Sequence, residues 1–131
     1  MICLKKTVGI YDHGKQWEVF VKLSEKDIRY AICYYMAIET GLRISDILAL
    51  TRPIPPIFTI REAKTGKLRA IQLSDDLRNM LEIYEQLVPQ QFSKNLMFPF
   101  ARSTFWRHMK IATEACGLKR VGVHGLRKTY G

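Results

Sequence analysis

The sequence has few of the residues that build metal centres and disulfide frameworks. Its three cysteines, Cys3, Cys33 and Cys116, are far apart, and it contains no CxxC pair and no Cys/His ligand cluster. We interpret Cys33 and Cys116 as small core residues in a reducing compartment. The three histidines are equally scattered, so the sequence predicts no metal site and no small-molecule cofactor.

Long apolar segments are also absent. The longest apolar run, from Tyr30 to Ile38, is far too short to cross a bilayer. The N-terminus has no basic region followed by an apolar stretch and a cleavage site. We therefore expect no membrane partner and a cytoplasmic location.

Acidic residues are scarce in the last 31 residues of the sequence, where basic residues are common. The 131-residue chain has a formal net charge of +9, and from residue 101 onward seven Lys or Arg face a single acid, Glu114. A stretch this lopsided repels itself unless an anion lies against it. The charge therefore predicts a polyanionic partner, which is most often nucleic acid.

The chain length fits one domain, and the residue pattern predicts a mainly α fold with a small antiparallel β-hairpin, an α+β class. Residues 1–22 are interpreted as an N-terminal segment or linker, in which Trp17 to Val21 could form a short strand. Residues 23–131 form the predicted domain. Its first helix starts at an N-cap, Ser24, and ends at Thr40–Gly41.

The remaining elements follow from turn and cap signals. A short helix is predicted from about Ser45 to Leu50, and a hairpin from residues 57–62 and 68–73. Two more helices follow, capped by Ser74 and Ser103, and a last helix begins near His124.

Arg43 lies between two predicted helices, in the segment TGLRISDILAL (residues 40–50). Backbone N–H groups and a fixed positive charge at a helix start can bind a phosphate. A guanidinium suits this task because its planar fork contacts two oxygens and keeps its proton. Asp46, one turn further on, can orient a neighbouring cation. An isolated arginine at such a corner is more commonly just an exposed residue.

Two further motifs carry side chains able to act on a phosphodiester. Lys64 begins KTGK (residues 64–67) at the tip of the hairpin, where a lysine can supply a proton as well as a charge. His124 and Arg127, three residues apart, lie on one face of a helix start, where one can move a proton and the other can hold an anion. Each motif alone is common.

The three motifs in this order closely resemble the catalytic domain of the tyrosine recombinase family, the phage-integrase class. The resemblance covers roughly Leu23 to the end. It implies a catalytic-core fold like that of DNA breaking-rejoining enzymes, incomplete at its C-terminus, with duplex DNA as partner. The implied function is to hold the scissile phosphate for strand cleavage and rejoining in site-specific recombination and integration.

The resemblance also assigns roles to residues. The implied catalytic residues are Arg43, Lys64, His124 and Arg127, with Asp46 supporting them. Lys64 would protonate the leaving 5′ oxygen, and Lys67 is the less suitable choice for that step. Other basic side chains are expected to contact DNA, namely Lys67, Arg107, Lys119, Arg120 and Lys128.

This chain departs from the family pattern at both ends. In the family, a further histidine or tryptophan and then the nucleophilic tyrosine lie well downstream of the second arginine, and this chain ends before both. Tyr130 follows Arg127 by only three residues, and we interpret it as a packing aromatic. Residues 1–22 are too few for the family's separate DNA-clamping domain. Relatives assemble as tetramers on DNA, whereas we expect this chain to be a monomer or weak oligomer.

A non-enzymatic helix-turn-helix regulator is the alternative. Residues 111–126 can be divided into two helices joined by Gly117, which would place base-reading side chains on a recognition helix. An RNA-binding protein is a weaker alternative, because the sequence resembles neither an RNP-type aromatic sheet nor a GXXG loop. The recombinase hypothesis instead requires Arg43 and Arg127 to lie close together.

From the resemblance we predict salt-sensitive binding to duplex DNA with little sequence preference, but no covalent adduct with a nicked suicide substrate. Denaturing electrophoresis of the protein incubated with labelled substrate measures the adduct. An adduct that maps to Tyr130 would contradict the interpretation of that residue as a packing aromatic.

Overall fold

The computed structural model describes residues 13–88 and 95–118. These residues form five α-helices and two β-strands, in the order α1 (His13–Lys26), α2 (Ile28–Thr40), α3 (Ile44–Leu48), β1 (Ile57–Arg61), β2 (Leu68–Gln72), α4 (Asp75–Leu87) and α5 (Arg102–Ala115). The mainly α fold with one small antiparallel sheet is therefore confirmed.

Helix α2 forms the centre of the core. It contacts α1, α3, α4 and α5, and a helix surrounded in this way must be apolar on most of its faces. Its buried residues meet that requirement and include Ala31, Ile32, Cys33, Tyr34, Met36 and Ala37. The predicted core position of Cys33 is confirmed, and so is that of Cys116 at the end of α5.

Residues 13–26 are helical, so the predicted short strand from Trp17 to Val21 is wrong. The alternation of apolar residues there reflects helical spacing. Val19 and Leu23, four residues apart, are buried on the same face, while Trp17 is 59% exposed and stacks on Phe20 with ring centroids 5.2 Å apart.

Helix α1 is part of the same packed unit as the helices that follow it. It contacts α2 and α5, the Tyr34 hydroxyl donates to the Gln16 carbonyl at 3.0 Å, and Lys15 Nζ donates to the Cys116 carbonyl at 3.0 Å. Residues 13–22 are therefore not a linker, and the packed unit begins before residue 23.

Two predicted N-caps are wrong. The helical conformation is interrupted between α1 and α2 at Asp27. This residue caps α2, because its carboxylate accepts a hydrogen bond from the Arg29 amide at 2.9 Å. Ser24 lies within α1, where its hydroxyl donates to the Val21 carbonyl at 2.7 Å. Helix α5 starts at Arg102, before Ser103, and no side chain caps it. Serine is a common N-cap, but its presence alone does not fix where a helix begins.

Two other predicted helix boundaries, the end of α2 and the start of α4, are confirmed. Gly41 ends α2 in the left-handed conformation, with φ of 70°, and Ser74 caps α4 by accepting from the Leu77 amide at 3.2 Å. The buried faces of α4 and α5 have the spacing of amphipathic helices. They comprise Leu77, Leu81, Tyr84 and Val88 on α4, and Phe105, Met109, Ala112 and Cys116 at α5.

The predicted hairpin is confirmed. Strands β1 and β2 pair in antiparallel register, with Ile60 opposite Arg69. The connecting turn closes through bonds from the Glu62 amide to the Lys67 carbonyl and from the Gly66 amide to the Glu62 carbonyl, each 2.8 Å long. Gly66 has φ of 71°, which glycine adopts without steric strain. The turn therefore has one defined geometry.

Replacing the true cap should destabilise the protein more than replacing the serine. We expect Asp27→Ala to lower the free energy of unfolding by about 1 kcal/mol, the usual cost of losing an N-cap. Ser24→Ala should change it little, because that hydroxyl caps no helix. Urea unfolding measures both variants, and equal losses would contradict the cap assignment.

The Asp27 contribution should also depend on pH. Burial opposes the charged form, but hydrogen bonds and charge from Arg29 hold the pKa of Asp27 below its ordinary value of 3.8. The stabilisation is therefore fully present above that value and is lost as the pH falls through the folded-state pKa. The stability gap between wild type and Asp27→Ala should shrink in acid.

Candidate active site

Arg43 occupies the corner between α2 and α3. After the left-handed Gly41 the chain extends, and Arg43 is the residue preceding α3, with φ of −68° and ψ of 147°. Its side chain is 19% exposed and reaches the hairpin, where Nη1 lies 3.3 Å from Glu62 Oε2. The sharp turn at the corner thus directs the guanidinium toward the hairpin.

Asp46 ties α3 to the turn of the hairpin. The residue is buried, and its Oδ1 accepts a hydrogen bond from the Ala63 amide at 3.1 Å. Ala63 directly precedes Lys64, so the bond fixes the backbone from which the lysine projects. The supporting role of Asp46 stays a prediction, and this hydrogen bond is the contact through which Asp46 reaches the hairpin turn.

Glu62 is a second buried acid at the site, with a side chain 5% exposed. Its Oε2 lies 3.3 Å from Arg43 Nη1 and 3.7 Å from Arg69 Nη1. Its Oε1 accepts from the Thr65 hydroxyl at 3.1 Å. A buried carboxylate is costly unless cations or donors surround it, and these three groups supply both.

Arg69 connects the hairpin to the end of α2. Its Nη2 donates to the Thr40 carbonyl at 2.8 Å, and its Nη1 donates to the Gly41 carbonyl at 3.2 Å. The last carbonyls of a helix carry partial negative charge and have no partner inside the helix. Arg69 therefore satisfies the end of α2 and faces Glu62 at the same time.

The structure brings three of the predicted site elements together. Arg43, Asp46 and the turn that carries Lys64 meet through the contacts of Asp46 and Glu62. Lys64 and Lys67 are exposed in that turn, and Arg107 is exposed on α5. The other predicted residues, namely Lys119, Arg120, His124, Arg127 and Lys128, lie outside the described residues, as does Tyr130.

Sequence reasoning missed Glu62 and Arg69 as site residues. A signal for both was present in the alternation of the strands. Alternate residues of a strand face the same side of the sheet. By this rule Glu62 faces the same side as the inward-facing Phe58 and Ile60, and Arg69 faces the same side as the buried Ile71. Two opposite charges on the inward face of one hairpin indicate a buried pair or a polar site.

Two of the described tyrosines are packing groups. Tyr34 and Tyr84 are fully buried in the core, and burial raises the pKa of both hydroxyls. The Tyr84 hydroxyl donates to the Met97 carbonyl. A phenol that is buried and hard to ionise is a poor nucleophile.

His108 is half-buried and stacks on Tyr30, with ring centroids 4.6 Å apart. Burial, together with the nearby charges of Arg107 and Lys26, lowers its pKa. Within residues 13–88 and 95–118, no group of three His, Cys, Asp or Glu side chains can hold a metal ion. No helix in the same part of the chain is long and apolar enough to span a membrane.

The fold matches catalytic domains of known integrases and recombinases. XerA recombinase superposes with a TM-score of 0.77 at 20% identity, over 95% of this chain and 49% of that one. The catalytic domain of bacteriophage HP1 integrase gives 0.68 at 18% identity, over 95% and 70%. Lambda integrase (residues 75–356), crystallised as a dimer bound to a COC′ core site, gives 0.75 at 17%, over 99% and 52%.

Sequence comparison agrees with the fold. The profile of the phage integrase family matches residues 13–131. A probable integrase/recombinase of Bacillus subtilis (strain 168), YoeC, is 33% identical over 125 residues, which cover 87% of this chain and 67% of the relative. The chain therefore belongs to the phage integrase family.

Removing the Asp46 carboxylate should loosen the hairpin turn. We expect Asp46→Ala to speed hydrogen exchange at the Ala63 amide and to lower the free energy of unfolding by about 1 kcal/mol, because the amide loses its acceptor. NMR-detected exchange and urea unfolding measure the two effects. Ser45→Ala, an exposed neighbour on α3, is the control. An unchanged Ala63 exchange rate in Asp46→Ala would contradict the role of this bond.

Proposed function

We propose that this chain supplies the phosphate-binding part of a site-specific recombinase catalytic domain, which binds duplex DNA and holds the scissile phosphate during strand cleavage and rejoining. Family membership carries the general assignment to DNA recombination. The observation that carries the specific proposal is the buried carboxylate pair, Asp46 and Glu62, which joins Arg43 to the turn bearing Lys64.

Arg43 is suited to hold the phosphate because its side chain stays 19% exposed while its contact with Glu62 leaves Nη1 without an aligned hydrogen bond. Its Nη1 is buried and makes no hydrogen bond with any of the described residues, although Glu62 lies 3.3 Å away. The contact with Glu62 is thus one of charge rather than an aligned hydrogen bond. Attack on a phosphodiester places negative charge on the non-bridging oxygens, and a fixed guanidinium donor lowers the barrier to it.

Lys64 is suited to protonate the leaving 5′ oxygen. It is exposed in a turn of defined backbone geometry, one residue after the Ala63 amide that Asp46 holds. An ammonium group can deliver a proton, which a guanidinium does not release. Lys67, on the far side of Gly66, is assigned to DNA contact.

His124 and Arg127 enter the proposal from the family motif alone. In this scheme they face the same phosphate as Arg43, and the arginine pair supplies the cationic field. The remaining basic side chains, Arg107, Lys119, Arg120 and Lys128, are assigned to the DNA backbone. The cytoplasmic location and the monomeric or weakly oligomeric state stay predictions.

Arg43→Ala should weaken DNA binding and flatten its salt dependence. Loss of one phosphate contact should lower the slope of log K against log salt concentration by about 1. Fluorescence anisotropy with a labelled duplex at several salt concentrations measures the slope. Arg78→Ala, which removes an exposed arginine from α4, should leave the slope near that of wild type.

The DNA experiment also tests the proposal as a whole. If Arg43→Ala retains both the wild-type affinity and the wild-type slope while remaining folded, Arg43 does not contact phosphate. Circular dichroism establishes that each variant keeps its helical content and thermal midpoint.

A further inference from the structure

We infer that Glu62 is a positioning residue that orders Arg43 and the KTGK turn together, with Arg69 as its second cation. The inference rests on the proposed function of the site. The family motifs assign no role to Glu62, and its two carboxylate oxygens face different parts of the protein.

One oxygen of Glu62 serves the helical side of the site. Oε2 lies between Arg43 at 3.3 Å and Arg69 at 3.7 Å. Two guanidinium groups this close repel each other, and the carboxylate between them offsets that repulsion. Arg69 is in turn fixed by the Thr40 and Gly41 carbonyls. Glu62 therefore holds Arg43 against a cation that is itself anchored to α2.

The other oxygen of Glu62 serves the hairpin side. Oε1 accepts from the Thr65 hydroxyl at 3.1 Å, and the same hydroxyl oxygen accepts from the Lys67 amide at 3.2 Å. The backbone of Glu62 also receives the Gly66 amide at 2.8 Å. The conformation of the turn that carries Lys64 is thus linked to the carboxylate that faces Arg43.

Simple electrostatics and positioning make opposite predictions for loss of this charge. Removing an acid beside a phosphate site raises the local positive potential and should tighten binding to DNA. Loss of positioning should instead make Arg43 less effective, because its guanidinium is no longer held at one place. The two effects separate when the cost of losing Arg43 is compared with and without Glu62.

The test is a double-mutant cycle on DNA affinity with the full 131-residue chain and a labelled duplex. We expect the fold-loss caused by Arg43→Ala to be smaller in the Glu62→Gln background, by about 3-fold or more, a coupling typical of contacting residues. Equal fold-losses in the two backgrounds would overturn the inference. Glu85→Gln is the matched control, because Glu85 pairs with a different arginine, Arg52, and should show no coupling to Arg43.

A second variant tests the contact of Glu62 Oε1 with Thr65 separately from the contact of Oε2 with Arg43, and it leaves the buried acid in place. Thr65→Val removes the hydroxyl from an exposed position and leaves the Arg43 contact in place. We expect it to reduce the effect of Lys64→Ala on DNA affinity and to leave the effect of Arg43→Ala unchanged. If Thr65→Val changes the effects of Lys64→Ala and Arg43→Ala equally, or changes neither, Glu62 does not position Lys64 and Arg43 through separate oxygens.

NMR on the free protein keeps this inference distinct from the proposed function. In wild type the Arg43 Nε–H signal should be sharp and protected from exchange, and in Glu62→Gln it should broaden and exchange faster. If Arg43→Ala leaves DNA binding unchanged but this difference is present, the proposed function fails and the positioning role stands. If Arg43 is equally ordered in both proteins, the positioning role fails whatever the DNA result.

Discussion

Burying a carboxylate is so unfavourable that the surrounding structure must provide partners for it, and this requirement shapes the site. Asp46 and Glu62 are both buried, and they lie on different sides of the junction between the helices and the hairpin. Each has a partner across that junction, Asp46 at a hairpin amide and Glu62 at the corner arginine. The hairpin can therefore move away from the corner only by leaving buried charge unsatisfied.

The helical core gives this junction a fixed base. Helix α2 is enclosed by four other helices, and its C-terminal end, at Thr40 and Gly41, is the edge on which the site is built. Arg69 donates to the Thr40 and Gly41 carbonyls at that edge, so one side chain of the hairpin binds the end of a core helix. The rigidity of the core thus extends to a small two-stranded sheet, which alone would be only marginally stable.

Local signals were enough to predict much of this fold from the sequence. Gly41, Ser74 and the Thr65–Gly66 turn define their own backbone geometry, and the stripes of α4 and α5 have helical spacing. Signals that depend on distant residues were misread. The apolar residues of the Trp17–Val21 segment alternate as in a strand, but the segment is helical because α2 and α5 bury one face of it. Ser24 cannot act as an N-cap because the residues before it are already helical.

The same distinction holds for the candidate site. Arg43, Asp46 and Lys64 were recognised from motifs, and the structure brings their segments together. Glu62 and Arg69 were missed because their importance lies in contacts between residues far apart in sequence, such as the bond from Arg69 to Thr40, 29 positions away. Parity along a strand indicates that a charge faces inward, but it does not identify which helix end that charge will meet.

The bond from Lys15 to the Cys116 carbonyl joins residues 101 positions apart. It closes almost the whole described chain into a single loop, with the first helix resting against the end of the last. Contacts this far apart in sequence tend to slow folding, because a long loop must close before they can form. A truncation beginning at Leu23, where the helical pattern first becomes regular, would remove most of α1. The Cys116 carbonyl at the end of α5 would then lose its bond from Lys15.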